Sequence, residues 1–111
     1  MYYNFFFCVT FSLTLLIPYP VIASDISNDR QQELIHLIQH DCGSCHGMTL
    51  KGGLGTPLTV ENLQNKSNEA LISIIMNGVK GTPMPPWKDV LAEQEVVWMV
   101  KQLKTGLAEN H

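Results

Sequence analysis

Cys42 and Cys45 are separated by two residues, and His46 follows directly, in the segment Cys42-Gly43-Ser44-Cys45-His46. This is the C-x-x-C-H spacing of haem attachment. Two thiols placed this way can each add to one of the two vinyl groups on a porphyrin edge. The adjoining imidazole of His46 then lies under the ring, where it can bind iron. Covalent attachment also keeps a haem in a chain too short to bury it completely. Three other chemistries use parts of the same pattern. Zinc would take both thiolates and His46, but there is no second cysteine pair, and His36, His40 and His111 have no zinc-like spacing to the motif. A thioredoxin-type redox pair needs alternating strands and helices, which the chain does not offer. A local disulfide is the third, although so short a loop constrains little of the unfolded chain.

Haem iron then needs a sixth ligand or an open position. The candidates are Met48, Met76, Met84, Met99, His36, His40 and His111. Met76 and Met99 fall on apolar helical faces and read as core. Met48 is too close to His46 to reach the far side of a ring, and His36 and His40 precede the motif on a helix. Met84 lies far enough downstream for a loop and a helix to wrap a haem, and it sits in Gly81-Thr82-Pro83-Met84-Pro85-Pro86-Trp87, where prolines give a flexible side chain a fixed aim. His/Met ligation belongs to electron-transfer haems, and a thioether favours ferrous iron. With both axial positions filled, substrate has no ready access to iron, which points to a carrier. An open-iron enzyme, such as a small peroxidase, requires that Met84 not bind.

These ligands need support. The second ring nitrogen of His46 requires an acceptor to fix its orientation. A backbone carbonyl of Gly55-Thr56-Pro57 is the candidate, with Pro57 packing near the imidazole. Trp87 is read either as a pocket wall, with its indole N–H toward a propionate, or as core. Trp98 is read as packing between the last helix and the first.

The elements that must hold these residues are helical. Asn28 with Gln31 fits a capping box, and Leu34, Ile35, Leu37 and Ile38 make one apolar face of a helix over about 29–40 that delivers the chain to Cys42. Residues 47–58 hold four glycines and form a loop. Thr59 caps a short turn over 60–63, and Ser67 caps a helix from Asn68 whose buried face is Leu71, Ile72, Ile74, Ile75 and Met76. Gly78 suits the position after that helix. A last helix runs from near Ala92 to near Lys104, with Val96, Val97, Met99, Val100 and Leu103 inside. No strand pair is visible, and the fold class expected is all-α with three to four helices.

Residues 1–23 contain no charged residue, and 5–17 are almost wholly apolar before Pro18 and Pro20. Val21-Ile22-Ala23 then offers a cleavage site, so residues 1–23 read as a secretory signal and 24–111 as the functional domain. The apolar run falls short of the ~20 residues a bilayer core requires. Cleavage also removes Cys8. The expected product is periplasmic, with no stable membrane association. A formal charge of −3 makes nucleic acid an unsuitable partner.

The order of helix, Cys42–His46 motif, glycine-rich loop, Met84 loop and terminal helix resembles class I c-type cytochromes over about residues 28–106. Within that family, Cys42-Gly43-Ser44-Cys45-His46-Gly47, Gly52-Gly53-Leu54-Gly55 and Gly81-Thr82-Pro83-Met84-Pro85-Pro86-Trp87 are similar to the small NirC-type cytochromes of nitrite-reductase gene clusters. The resemblance implies a small cytochrome c fold around one covalently bound haem c. It assigns Cys42 and Cys45 to thioethers, and His46 and Met84 to iron. It also implies a periplasmic electron carrier whose redox partners include a haem-containing nitrite reductase, or alternatively an accessory factor in maturation of that reductase's haem. Two departures stand out: Thr56 follows Gly55 where a proline is usual, and Ala92 occupies a helix-capping position.

Overall fold

Ser27 starts the first helix, α1 (Asn28–Leu37), by accepting the Arg30 amide on its hydroxyl at 3.3 Å. The computed structural model describes residues 25–107, so the export signal expected over 1–23 lies outside the described residues. The sequence points to Asn28 as the cap, paired with Gln31. The cap sits one residue earlier, because Ser27 already has the extended backbone (ψ 153°) that turns its hydroxyl toward the free amides. Gln31 donates instead to the Ile26 carbonyl at 2.8 Å.

The helix does not stop near His40. It continues through a π-helical turn, Ile38–Cys42, into α2 (Gly43–His46). Such turns insert one extra residue in an α-helix and recur at functional sites. Periodicity could not reveal it, because the buried Leu34 and Ile38 keep ordinary i, i+4 spacing ahead of the turn. The cysteine–histidine motif is thus carried on helical backbone.

Three further helices follow: α3 (Val60–Leu63), α4 (Asn68–Asn77) and α5 (Glu93–Lys104). The Ser67 hydroxyl accepts the Ala70 amide at 3.1 Å, as a cap should. Ala92 has no side-chain acceptor to offer α5. Glu95 compensates from inside the helix, where its Oε2 accepts the Ala92 amide at 2.9 Å.

Helix α5 is the hub, packing against α1, α3 and α4. Val96, Met99, Val100 and Leu103 form its buried stripe and join Leu34, Ile38, Leu63 and Leu71 in one core. Each fully buried aliphatic side chain contributes roughly 1.5–3 kcal/mol. Val97 departs from expectation. It lies off that i, i+3, i+4 stripe and is 48% exposed. Leu50, from the glycine-rich loop, is buried despite a left-handed backbone (φ 58°). Its amide donates to Gly47 at 2.7 Å, and its carbonyl accepts from Leu58 at 2.9 Å. Arg30 Nε donates to Glu95 at 2.6 Å and ties α1 to α5. Among the described residues there is no strand, and no helix is long and apolar enough to cross a membrane.

Candidate functional site

His46 ends α2 and is fixed from three sides. Its Nδ1 lies 2.6 Å from the Thr56 carbonyl. A carbonyl can only accept, so Nδ1 carries a proton here, and in the neutral ring Nε2 then presents its lone pair. The loop that brings Thr56 there is pinned to the motif's own backbone: the Gly55 amide donates to Cys45 at 2.7 Å, and the Gly52 amide to His46 at 2.8 Å. Gly55 covers the ring so closely that a Cβ there would stand 2.7 Å from Nδ1. The departure at Thr56 therefore leaves an acceptor in place. Pro57 is not among the residues that line the cavity beside His46; its ring lies toward Gly52, and Gly55 lies against the imidazole.

Met84 is held by the end of α4. The last carbonyls of a helix lack partners within it, and here the returning loop supplies them. Gly78, Trp87 and Lys88 donate their amides to Ile74, Ile75 and Met76 at 2.8, 3.0 and 3.2 Å. Val79 donates to the Met84 carbonyl at 3.2 Å. Gly78 has φ +68°, and a Cβ on it would meet that same carbonyl at 2.6 Å. The glycine expected at the end of this helix thus also makes room for the Met84 loop.

Cys42, Cys45, His46 and Met84 all line one cavity of about 740 Å³, within the usual range of a ligand site. Trp87 lines it too and is partly buried against the core. Its apolar lining is incompletely covered. Ile74, expected inside, is 38% exposed, Val79 40% and Leu54 77%. Large apolar side chains gathered on one concave surface mark a binding site. Thioether, imidazole and two thiols around such a surface fit a covalently held haem. Leu54 and Val79 give no sequence signal, because each is a lone apolar residue in a loop.

The competing chemistries lose their footing. Cys42 and Cys45 are free thiols. Burial, then the charge of Asp41, pushes the Cys42 thiol up to about 11, the reverse of the lowered value of a thioredoxin-type cysteine. Among the described residues no group of three or more His, Cys, Asp or Glu side chains can hold a metal ion. Met48 is exposed, Met99 is buried in the core and Met76 packs against it. His36 and His40 lie against one another with tilted rings, centres 4.1 Å apart, and neither lines the cavity. His111 lies outside the described residues.

A family model described as "Cytochrome C oxidase, cbb3-type, subunit III" matches residues 29–102. The chain belongs to the c-type cytochromes. This cytochrome is 44% identical over 96 residues to cytochrome c55X of Pseudomonas aeruginosa, covering 86% of this chain and 81% of that protein. It is 40% identical over 91 residues to cytochrome c55X of Paracoccus denitrificans, covering 82% and 88%. A solved structure, "c-type cytochrome NirC", superposes with a TM-score of 0.70 at 44% identity, covering 71% of this chain and 93% of that one. The small all-α cytochrome c fold and the class I, NirC-like resemblance read from the sequence are thereby established. Family membership also implies covalently bound haem c and redox protein partners.

Proposed function

We propose that this chain is a periplasmic mono-haem cytochrome, exported by the signal at residues 1–23, that passes single electrons in a nitrite-reduction pathway and is not an enzyme. Cys42 and Cys45 would hold the haem through thioethers, and His46 Nε2 and the Met84 sulfur would bind its iron. The observation that carries the reading is that these four side chains line the same apolar cavity, with His46 already in the tautomer that offers Nε2. Bound there, the haem supplies a one-electron couple between ferric and ferrous iron.

The residues of the chain do the rest. The Thr56 carbonyl strengthens His46 as a donor by holding its Nδ1 proton. Met84 favours the ferrous state and raises the potential. Leu71, Ile74, Val79 and Trp87 present apolar surface that keeps water from the ring. The place in nitrite reduction rests on the likeness to NirC-type cytochromes.

Absorption spectra of the protein, produced by export in a host that attaches haem c, test the ligand set. The oxidised protein should show the far-red sulfur-to-iron band, and Met84→Ala should lack it. Intact mass should rise by one haem. A wild type with attached haem but no such band would remove Met84 as ligand and favour an open-iron enzyme. In the source organism, deletion should leave the special haem of nitrite reductase intact if the role is electron supply. Loss of that haem would assign the chain to maturation instead.

A further inference from the structure

Prolines 83, 85 and 86 have no amide hydrogen, so between Thr82 and Trp87 the amide of Met84 is the one backbone donor. It donates to Thr82 Oγ1 at 3.3 Å. The same hydroxyl gives its own proton to the Val79 carbonyl at 2.7 Å, and the Thr82 amide reaches that carbonyl at 3.1 Å. Val79 closes the ring by donating its amide to the Met84 carbonyl at 3.2 Å. Residues 79–84 therefore form a small closed turn in which one side-chain hydroxyl both accepts and donates. Every other polar anchor described for the loop joins backbone to backbone.

The prolines restrict φ at three positions, but they do not fix where the Met84 backbone sits relative to α4. Downstream, the Trp87 and Lys88 amides tie the loop to α4; upstream, the placement depends on the Val79–Met84 contact and on the Thr82 bridge. Thr82 itself is exposed at the cavity rim and contributes little burial. Its hydroxyl, not its bulk, is what the turn uses.

We infer that Thr82 is a positioning residue for the Met84 thioether, and that its hydroxyl sets how firmly Met84 holds the iron against competing ligands. The inference rests on Met84 being the axial ligand. Thr82→Val keeps the shape of the side chain, leaves the Met84 amide without its acceptor and removes the second donor to Val79. Thr82→Ser keeps both bonds.

The test is displacement of Met84 from the ferric holoprotein by added imidazole, followed through the Soret and far-red bands, together with the midpoint potential. Thr82→Val should bind imidazole about tenfold more tightly than wild type, a scale that fits the loss of two solvent-exposed hydrogen bonds. Its sulfur-to-iron band should weaken and its potential fall. Thr82→Ser should stay within about twofold of wild type on both readouts. Thr82→Ala gives the same readout should the valine variant not accumulate holoprotein. Valine or alanine variants that match wild type in imidazole affinity and potential would overturn the role of Thr82. Serine behaving like valine would also overturn it, because the hydroxyl would then not be the cause. Met84→Ala separates the two claims: if it binds imidazole no better than wild type, the ligand assignment has failed, not the positioning argument.

Discussion

The two loops that carry the cavity are built on opposite principles. The loop over residues 47–58 is made of glycines and works by close approach. Gly55 lies against the imidazole face, and the Gly52 and Gly55 amides bind the motif's own carbonyls. The loop over residues 78–88 is made of prolines and works by restriction. It has few donors: Gly78, Trp87 and Lys88 close the open end of α4, while Val79, Thr82 and Met84 bond within the loop. The first loop surrounds an imidazole already fixed by the helix that bears it, so the His46 side chain is over-determined. The second must place a flexible thioether with a handful of bonds. Disturbance of the two loops should therefore reach iron with opposite signs.

Gly78→Ala should give the larger effect. It forces an alanine into a positive φ, which costs roughly 1–2 kcal/mol. The new methyl also presses on the Met84 carbonyl and the Pro85–Pro86 backbone, none of which is a flexible side-chain end. A total destabilisation of about 3 kcal/mol is expected. Because the strain falls on Met84, the sulfur-to-iron band should vanish and the potential should drop, while the haem stays attached. Denaturant unfolding and a redox titration of the holoprotein measure both.

Gly55→Ala should cost about 2 kcal/mol. Its methyl meets a ring, and the ring can turn away only by lengthening the His46–Thr56 hydrogen bond. A weaker bond at Nδ1 makes Nε2 a poorer donor and favours ferric iron less. The potential should rise while the far-red band persists. A fall in potential in both glycine variants would mean that the loops fail through general loosening, and the contrast between them would not stand.

Sequence and structure agree best where a residue's own chemistry fixes its role. Cys42, Cys45, His46 and Met84 could be singled out because thiols, imidazole and thioether are scarce and their spacing has a reason, and the structure gathers all four at one cavity. The helical frame was legible from apolar periodicity and from Ser67 and Gly78 at the ends of α4. What was not legible depends on approach in space. The π turn before Cys42 leaves no mark in spacing, and Leu50 reads as a loop residue until the fold closes over it. Ile74 and Leu71 share a helical stripe and both line the cavity, yet Leu71 is buried while Ile74 is left exposed. Periodicity reports which side of a helix is apolar, not whether protein or a haem covers it. Val97 was misplaced for a related reason: it is apolar beside the right neighbours but just off the face that counts.

A third site, remote from both loops, shows whether stability alone moves the iron. Glu95 accepts from Arg30 Nε at 2.6 Å and from the Ala92 amide at 2.9 Å, and it sits at the seam of α1 and α5. The Arg30 hydrogen bond, against some opposing desolvation and aided by the Ala92 amide, holds its carboxyl below the usual carboxylate range. Arg30 is 37% exposed, so solvent screens the pair, and Glu95→Gln should cost only about 1 kcal/mol. A carboxyl whose folded value is lowered stabilises the fold at pH above its unfolded value, near ~4.3. That contribution fades as pH falls through the lower, folded value. The stability difference between wild type and Glu95→Gln should accordingly be full at pH 7 and shrink toward pH 3, as read from urea midpoints. A difference that persists undiminished at pH 3 would show that packing, not charge, carries the seam. Through all of this the far-red band and the potential should not change at pH 7, because neither loop touches Glu95. If they do change, the glycine variants can no longer be read as acting through their own loops.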